Sequence, residues 1–130
     1  MAKRISLPPL SEAQLEIMNV IWQQGETTVG EVWDDLKRQR RIARNTVQTT
    51  IARLDDKGWL KHRTVGNKYL YQAVYPREVT QQRMVGRFLD TVFEGSAEGL
   101  LLALLEQQPL SDQEAARIRD ILDSASGNQS

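Results

Sequence analysis

The sequence predicts a mainly α-helical fold interrupted by one β-hairpin, and three features carry that expectation. Three Ser/Thr-x-x-Glu/Gln capping boxes announce helix starts, at Ser11–Gln14, Thr28–Glu31 and Ser111–Glu114. Apolar residues recur at helical spacing on either side of a short central stretch. Only between Leu60 and Val74 does the pattern become two β-favouring runs, set around a Gly66-Asn67 pair.

The first helix starts at Ser11, whose hydroxyl can accept the Gln14 amide while the Gln14 side chain reaches back, with Leu10 and Leu15 placed as a hydrophobic staple. Leu15, Met18, Ile21 and Trp22 form its apolar stripe, widened by Ile17 and Val20, and Gly25 ends it. A second helix, about Thr28 to Gln39, places Val29, Val32, Trp33 and Leu36 at i, i+3, i+4 and i+7.

The third helix buries Val47, Ile51 and Leu54 and stops before Gly58. Its other face carries Asn45, Thr46, Gln48 and Thr49, then Arg53 a turn later, with Arg44 at the N-terminal end. Asn and Thr are poor helix formers, and an ordinary solvent face would use Glu, Lys and Ala. The choice points to chemistry other than helix stability. Asn and Gln can pair with adenine, Arg with guanine, and a Thr methyl can meet the thymine methyl in a major groove.

After Gly58 come Leu60–Val65 and Lys68–Val74, joined by Gly66-Asn67 in a type II′ hairpin pattern. The hairpin carries Lys61, Arg63 and Lys68 and no acidic residue. Three helices followed by a basic hairpin make a winged helix-turn-helix arrangement, in which the third helix enters the major groove and the hairpin meets the adjacent backbone. Residues 1–75 are thus expected to be a winged-helix DNA-binding domain and 76–130 a helical dimerisation domain.

In the second part, Pro76 suits the first turn of a fourth helix. Val79, Val85, Phe88, Leu89, Val92 and Phe93 supply its apolar stripe, and Gly95-Ser96 breaks it. Leu100 to Leu105 is apolar all the way round, as expected of a helix buried on several sides. The last helix should turn Ala115, Ile118 and Leu122 inwards. Three short helices cannot easily bury so much leucine alone, and two interdigitated copies would do so. Val85, Phe88, Leu89, Val92, Leu101, Leu104 and Leu105 are the candidate dimerisation residues, the alternative being an intrachain core against the winged-helix half.

The chain has 130 residues, no cysteine and zero formal net charge. Disulfides and thiolate metal sites are thereby excluded. The opening lacks a signal-peptide core, and the longest apolar run is too short to cross a bilayer, so the chain reads as soluble and cytoplasmic. The charge is nonetheless segregated. Met1–Leu36 and Pro76–Ser130 each carry a net −4, whereas Lys37–Lys68 holds ten basic and two acidic residues. That local field suits a polyanion.

No constellation for catalysis or for a cofactor stands out. His62 is the sole histidine and falls on a hairpin strand, where it reads as a surface or phosphate-proximal residue. Asp34-Asp35 and Asp55-Asp56 are adjacent on helices and point apart. No glycine-rich phosphate loop is present, and Trp22, Trp33 and Trp59 read as packing residues.

The stretches "SEAQLEIMNVIW", "TTVGEVWDDL", "NTVQTTIARLDDKGWL", "GNKYLYQAV" and "FLDTVFEGSAEGLLLALLEQQPLSDQEAARIRDIL" give the chain a resemblance to the BlaI/MecI penicillinase repressor family of bacterial regulators, over about residues 7–123. The resemblance implies a non-enzymatic homodimeric repressor of β-lactamase or related genes, binding a palindromic operator in double-stranded DNA, often partnered by a membrane sensor protease. It also implies release by proteolysis at an Asn-Phe bond in the fifth helix. "GLLLALLEQ" aligns Ala103-Leu104 with that bond, and neither residue matches. A second departure is Ala43-Arg44, where the family often has Ser-Pro, which removes a good N-cap. The missing cysteines separate the chain from the related copper-responsive branch. A protein-interaction module built on the same winged helix is the competing reading. It would require an apolar patch on the third helix or hairpin, where the exposed positions are expected to be polar or basic.

Overall fold

The structure, a computed structural model, describes residues 7–127. The elements run α1 (Glu12–Gln24), α2 (Val29–Lys37), α3 (Arg44–Asp56), β1 (Leu60–Val65), β2 (Lys68–Ala73), α4 (Arg77–Phe93), α5 (Ala97–Gln107) and α6 (Asp112–Gly127). This is the mainly helical arrangement with one hairpin that the sequence predicts.

Local chemistry accounts for the helix boundaries. The first two capping boxes close in both directions: Ser11 N–H donates to Gln14 Oε1 at 3.0 Å, and Thr28 N–H to Glu31 Oε1 at 3.1 Å. At the third, the Glu114 amide donates to the Ser111 hydroxyl. α3 begins after Ala43 with no side-chain cap. It ends in a full Schellman closure, in which Trp59 N–H reaches Leu54 O at 2.9 Å and Gly58 N–H reaches Asp55 O at 3.2 Å. Gly58 makes this possible with φ +94°.

One apolar core joins the three helices to the hairpin. α1 contributes Ile17, Met18 and Ile21, α2 Val32 and Leu36, α3 Val47, Ile51 and Leu54, and the hairpin Trp59, Leu60 and Tyr71. The three tryptophans pack at the edge of this core or within it, and their indole N–H groups fasten connecting segments. Trp22 donates to Tyr75 O, Trp33 to Ile42 O and Trp59 to Pro8 O. The Trp33 bond secures the α2–α3 connection, and α2 stops at Lys37 rather than Gln39.

The hairpin register pairs Val65 with Lys68 around Gly66-Asn67. Gly66 has φ +63° while Asn67 keeps a negative φ, which is the type II′ form. β2 ends at Ala73, one residue short of the expected Val74, whose amide turns to Trp59 O. The outer edge of β2 is met by Thr27, which exchanges two backbone bonds with Tyr71 at 2.9 and 2.7 Å and is 1% exposed.

The chain forms two compact units that divide between Val85 and Gly86. The expected division at Tyr75–Pro76 marks the change from hairpin to helix, but the first unit runs on into α4. Thr80 is fully buried there and Val79 packs on the core.

The second unit has little interior of its own. Glu94 (φ +51°) and Gly95 (φ +85°) turn the chain after α4, and the Ser96 hydroxyl accepts the Gly99 amide to start α5. No residue of α5 is buried, although the all-round apolar run predicts a helix covered on several sides. Leu122, expected to face inwards, is exposed, while Ala115 and Ile118 are half-buried. Within one chain there are simply too few helices to cover these faces. No helix among the described residues is long and apolar enough to cross a membrane.

Candidate nucleic-acid interface

The residues of α3 sort by angle around its axis. With Val47, Ile51 and Leu54 buried, the 100° step per residue turns Asn45, Thr49 and Arg53 directly outwards, flanked by Thr46 and Gln48. All five side chains are exposed. Ala52 lies in the same exposed patch; sequence reasoning passed over it, although a small residue between Gln48 and Arg53 is suited to a thymine methyl. The Thr50 hydroxyl donates back to Thr46 O at 2.8 Å, so that side chain serves its own helix.

Arg44 departs from this face and leans towards the start of α2. Its guanidinium lies 5.8 Å from the centre of the Trp33 ring. It also lies near Gly30, where a Cβ would sit 3.5 Å from its Nη1. Its charge therefore stands beside the first turn of α2 rather than over the middle of α3.

Alternation along β1 puts Lys61, Arg63 and Val65 on one face of the hairpin. Lys61 and Lys68 are exposed and pair with no carboxylate among the described residues. Arg63 is also exposed but engaged: its Nε and Nη2 donate to the two carboxylate oxygens of Glu26 at 2.7 and 2.8 Å. That bidentate pair holds the Glu26 carboxyl below its usual range and raises the guanidinium. The exposed wing is not purely polar or basic, for Val65 and Tyr69 are exposed near its tip. On α3 no large apolar side chain is exposed.

His62 lies on the surface, as the sequence predicts, but its ring is held in place. Its Nδ1 lies 2.6 Å from Asp55 Oδ2 and its ring stacks beside Tyr69. Internal pairing also consumes part of the basic segment: Lys37 pairs with Asp34, Arg38 with Asp35, Arg40 with Glu16 and Arg63 with Glu26. Of its ten cations, six are left without a carboxylate partner among the described residues: Arg41, Arg44, Arg53, Lys57, Lys61 and Lys68. They lie on α3, on the wing, or next to them.

Val85, Phe88, Val92, Leu101, Leu104 and Leu105 are all exposed, with Leu89 half-buried. Ala103 is half-buried and shares α5 with Leu104.

A family model described as penicillinase repressor matches residues 10–124. The penicillinase repressor of Bacillus licheniformis is 29% identical over 117 residues, covering 90% of this chain and 91% of that protein. The solution structure of the DNA-binding domain of the repressor BlaI superposes with a TM-score of 0.52 at 30% identity, covering 58% of this chain and 93% of that one. A solution structure of monomeric Bacillus licheniformis BlaI in complex with the blaP half-operator is similar, with a TM-score of 0.50 at 31% identity over 57% of this chain and 90% of that one. With a match that spans nearly its whole length, the chain belongs to the penicillinase repressor family.

Proposed function

We propose that the protein is a DNA-binding transcriptional repressor, not an enzyme, and that it grips an inverted-repeat operator as a homodimer. The observation that carries this reading is the exposed α3 face of Asn45, Thr46, Gln48, Thr49 and Arg53, bordered by cations that pair with no carboxylate among the described residues. BlaI, similar over the same winged-helix part, is known in complex with a half-operator. In the proposed arrangement those five side chains meet base edges, and Arg44 meets the groove rim from beside α2. Lys61 and Lys68 meet phosphates. Arg63 keeps Nη1 for a phosphate while its Nε and Nη2 hold Glu26.

Gln48→Ala tests the readout. It should cost about 1–3 kcal/mol at one base position per half-site and relax the preference there, with non-specific binding almost unchanged. Comparing the duplexes that each protein enriches from a randomised pool checks this, and an unchanged consensus would remove α3's face from the role.

The many large apolar side chains left exposed on α4 and on α5 support the homodimer, because so much uncovered apolar surface marks a helix that associates with a partner. For release of repression, the family resemblance suggests a membrane sensor protease, but Ala103-Leu104 lacks the Asn-Phe pair and sits within a helix that must open before it can be cut. The bond is expected to resist an Asn-Phe-specific sensor. Co-expression with the sensor of a penicillinase system, followed by a β-lactam, checks this; a fragment ending at Ala103 would contradict it.

A further inference from the structure

The hairpin holds a hydrogen-bonded cluster that base reading and phosphate binding leave unused. His62 and Arg63 are neighbours on β1, so their side chains leave opposite faces of the hairpin. On one face the His62 ring stacks beside Tyr69, with centroids 4.4 Å apart, and lies 5.5 Å from the ring of buried Tyr71. Its Nδ1 stands 2.6 Å from Asp55 Oδ2, in the last turn of α3. A carboxylate only accepts, so the proton of this bond belongs to Nδ1. The tyrosines set the plane of the ring and Asp55 sets its rotation. On the other face Arg63 reaches Glu26, in the segment before α2.

Between α3 and β1 the chain is only Lys57, Gly58 and Trp59, with Gly58 at φ +94°. The shared core orients the base of the hairpin through Trp59, Leu60 and Tyr71, while the exposed remainder of β1 needs a further contact to fix its angle to α3. Asp55 sits about a third of a turn from the line of Asn45, Thr49 and Arg53, and His62 leaves the hairpin face opposite Lys61, so neither belongs to the proposed DNA-facing groups.

We infer, resting on the DNA-binding reading above, that His62 and Asp55 are a positioning pair. They lock the wing to the end of the recognition helix, so that Lys61 and Lys68 meet the backbone at the same time as α3 meets the bases. Without the pair the base of the wing stays attached through the Thr27–Tyr71 backbone bonds and the buried Trp59, Leu60 and Tyr71, but the exposed part beyond it pivots, and its lysines lose their register with the phosphates.

The test is a double-mutant cycle with the full chain. Affinity is measured against salt for a duplex that the wild-type protein has selected from a randomised pool, using His62→Ala, Lys68→Ala, the double variant and His62→Asn. His62→Ala should weaken binding and flatten the salt slope much as Lys68→Ala does. The double variant should be no weaker than the weaker single, a coupling of about 2- to 10-fold. His62→Asn, which places an amide nitrogen near the position of Nδ1, should restore most of the affinity. Additive losses, an unchanged salt slope, or failure of His62→Asn to rescue would overturn the pair's role and return His62 to the surface or to a direct phosphate contact. Should His62→Ala not fold, Asp55→Ala carries the same cycle: coupling to Lys68→Ala supports the inference and additivity overturns it. A wild-type protein that enriches no duplex overturns the DNA-binding reading and this role with it, whereas additivity in a wild type that does bind overturns the pair alone.

Discussion

Leu104→Asp is expected to give a monomer that binds a two-half-site operator about 10²- to 10⁴-fold more weakly than the wild type. In the single chain Leu104 is 46% exposed and no α5 side chain is buried, so an aspartate there costs the protomer little. Between two chains the same position would be covered, and an unpaired carboxylate in an apolar interface is strongly unfavourable. Once the dimer separates, the second half-site no longer benefits from the high local concentration supplied by the first. Sedimentation and gel shift on the same samples check both halves of this claim. A wild-type chain that is monomeric at micromolar concentration would contradict the proposed assembly, and so would a Leu104→Asp variant that still forms dimers and binds normally.

Raising the salt from 50 to 200 mM is expected to weaken wild-type operator binding about a thousandfold. Arg44, Lys61 and Lys68 from each of two protomers would make about six phosphate contacts, each contributing a slope of about −0.9 in log affinity against log salt. Lys68→Ala should flatten the slope by about 0.9 per protomer and weaken every sequence alike. A protein-interaction module instead predicts no binding to duplex DNA even at low salt. Salt titration by fluorescence anisotropy separates the two, with a flat or absent response counting against the phosphate assignments.

The parts of this molecule that were legible in the sequence are those written in short-range chemistry. Ser11–Gln14 and Thr28–Glu31 close as capping boxes because three residues separate donor from acceptor, and that spacing is visible without a fold. Gly58 and Gly66 mark a helix end and a turn because their positive φ values exclude most other residues. The outward face of α3 could be read because Asn and Thr sit there against their own propensity. Ala52, which offers no such signal, was missed.

The parts that were not legible depend on partners distant in sequence. Arg63 was expected at phosphates, yet it lies in a bidentate pair with Glu26. That pair forms because Thr27 docks on the edge of β2 and brings its neighbour across the sheet, an approach no local pattern announces. The His62–Asp55 contact likewise needs the Gly58 turn to fold the hairpin back on α3. The lean of Arg44 towards Trp33 and Gly30 needs the crossing of α2 and α3. The first unit extends to Val85 because Thr80 and Val79 find cover in the core, which the Pro76 helix start gave no reason to expect. Around α5 the sequence pattern predicts burial that one chain does not provide, which is the physical case for a second copy.

The most direct test of the central claim is to offer the full-length protein a randomised duplex pool at low salt and sequence what it retains. The α3 face and paired protomers proposed here predict an enriched inverted repeat, with half-site centres one or more helical turns apart so that two recognition helices lie on one side of the duplex. No enrichment, or enrichment of a single asymmetric site with no repeat, would contradict it.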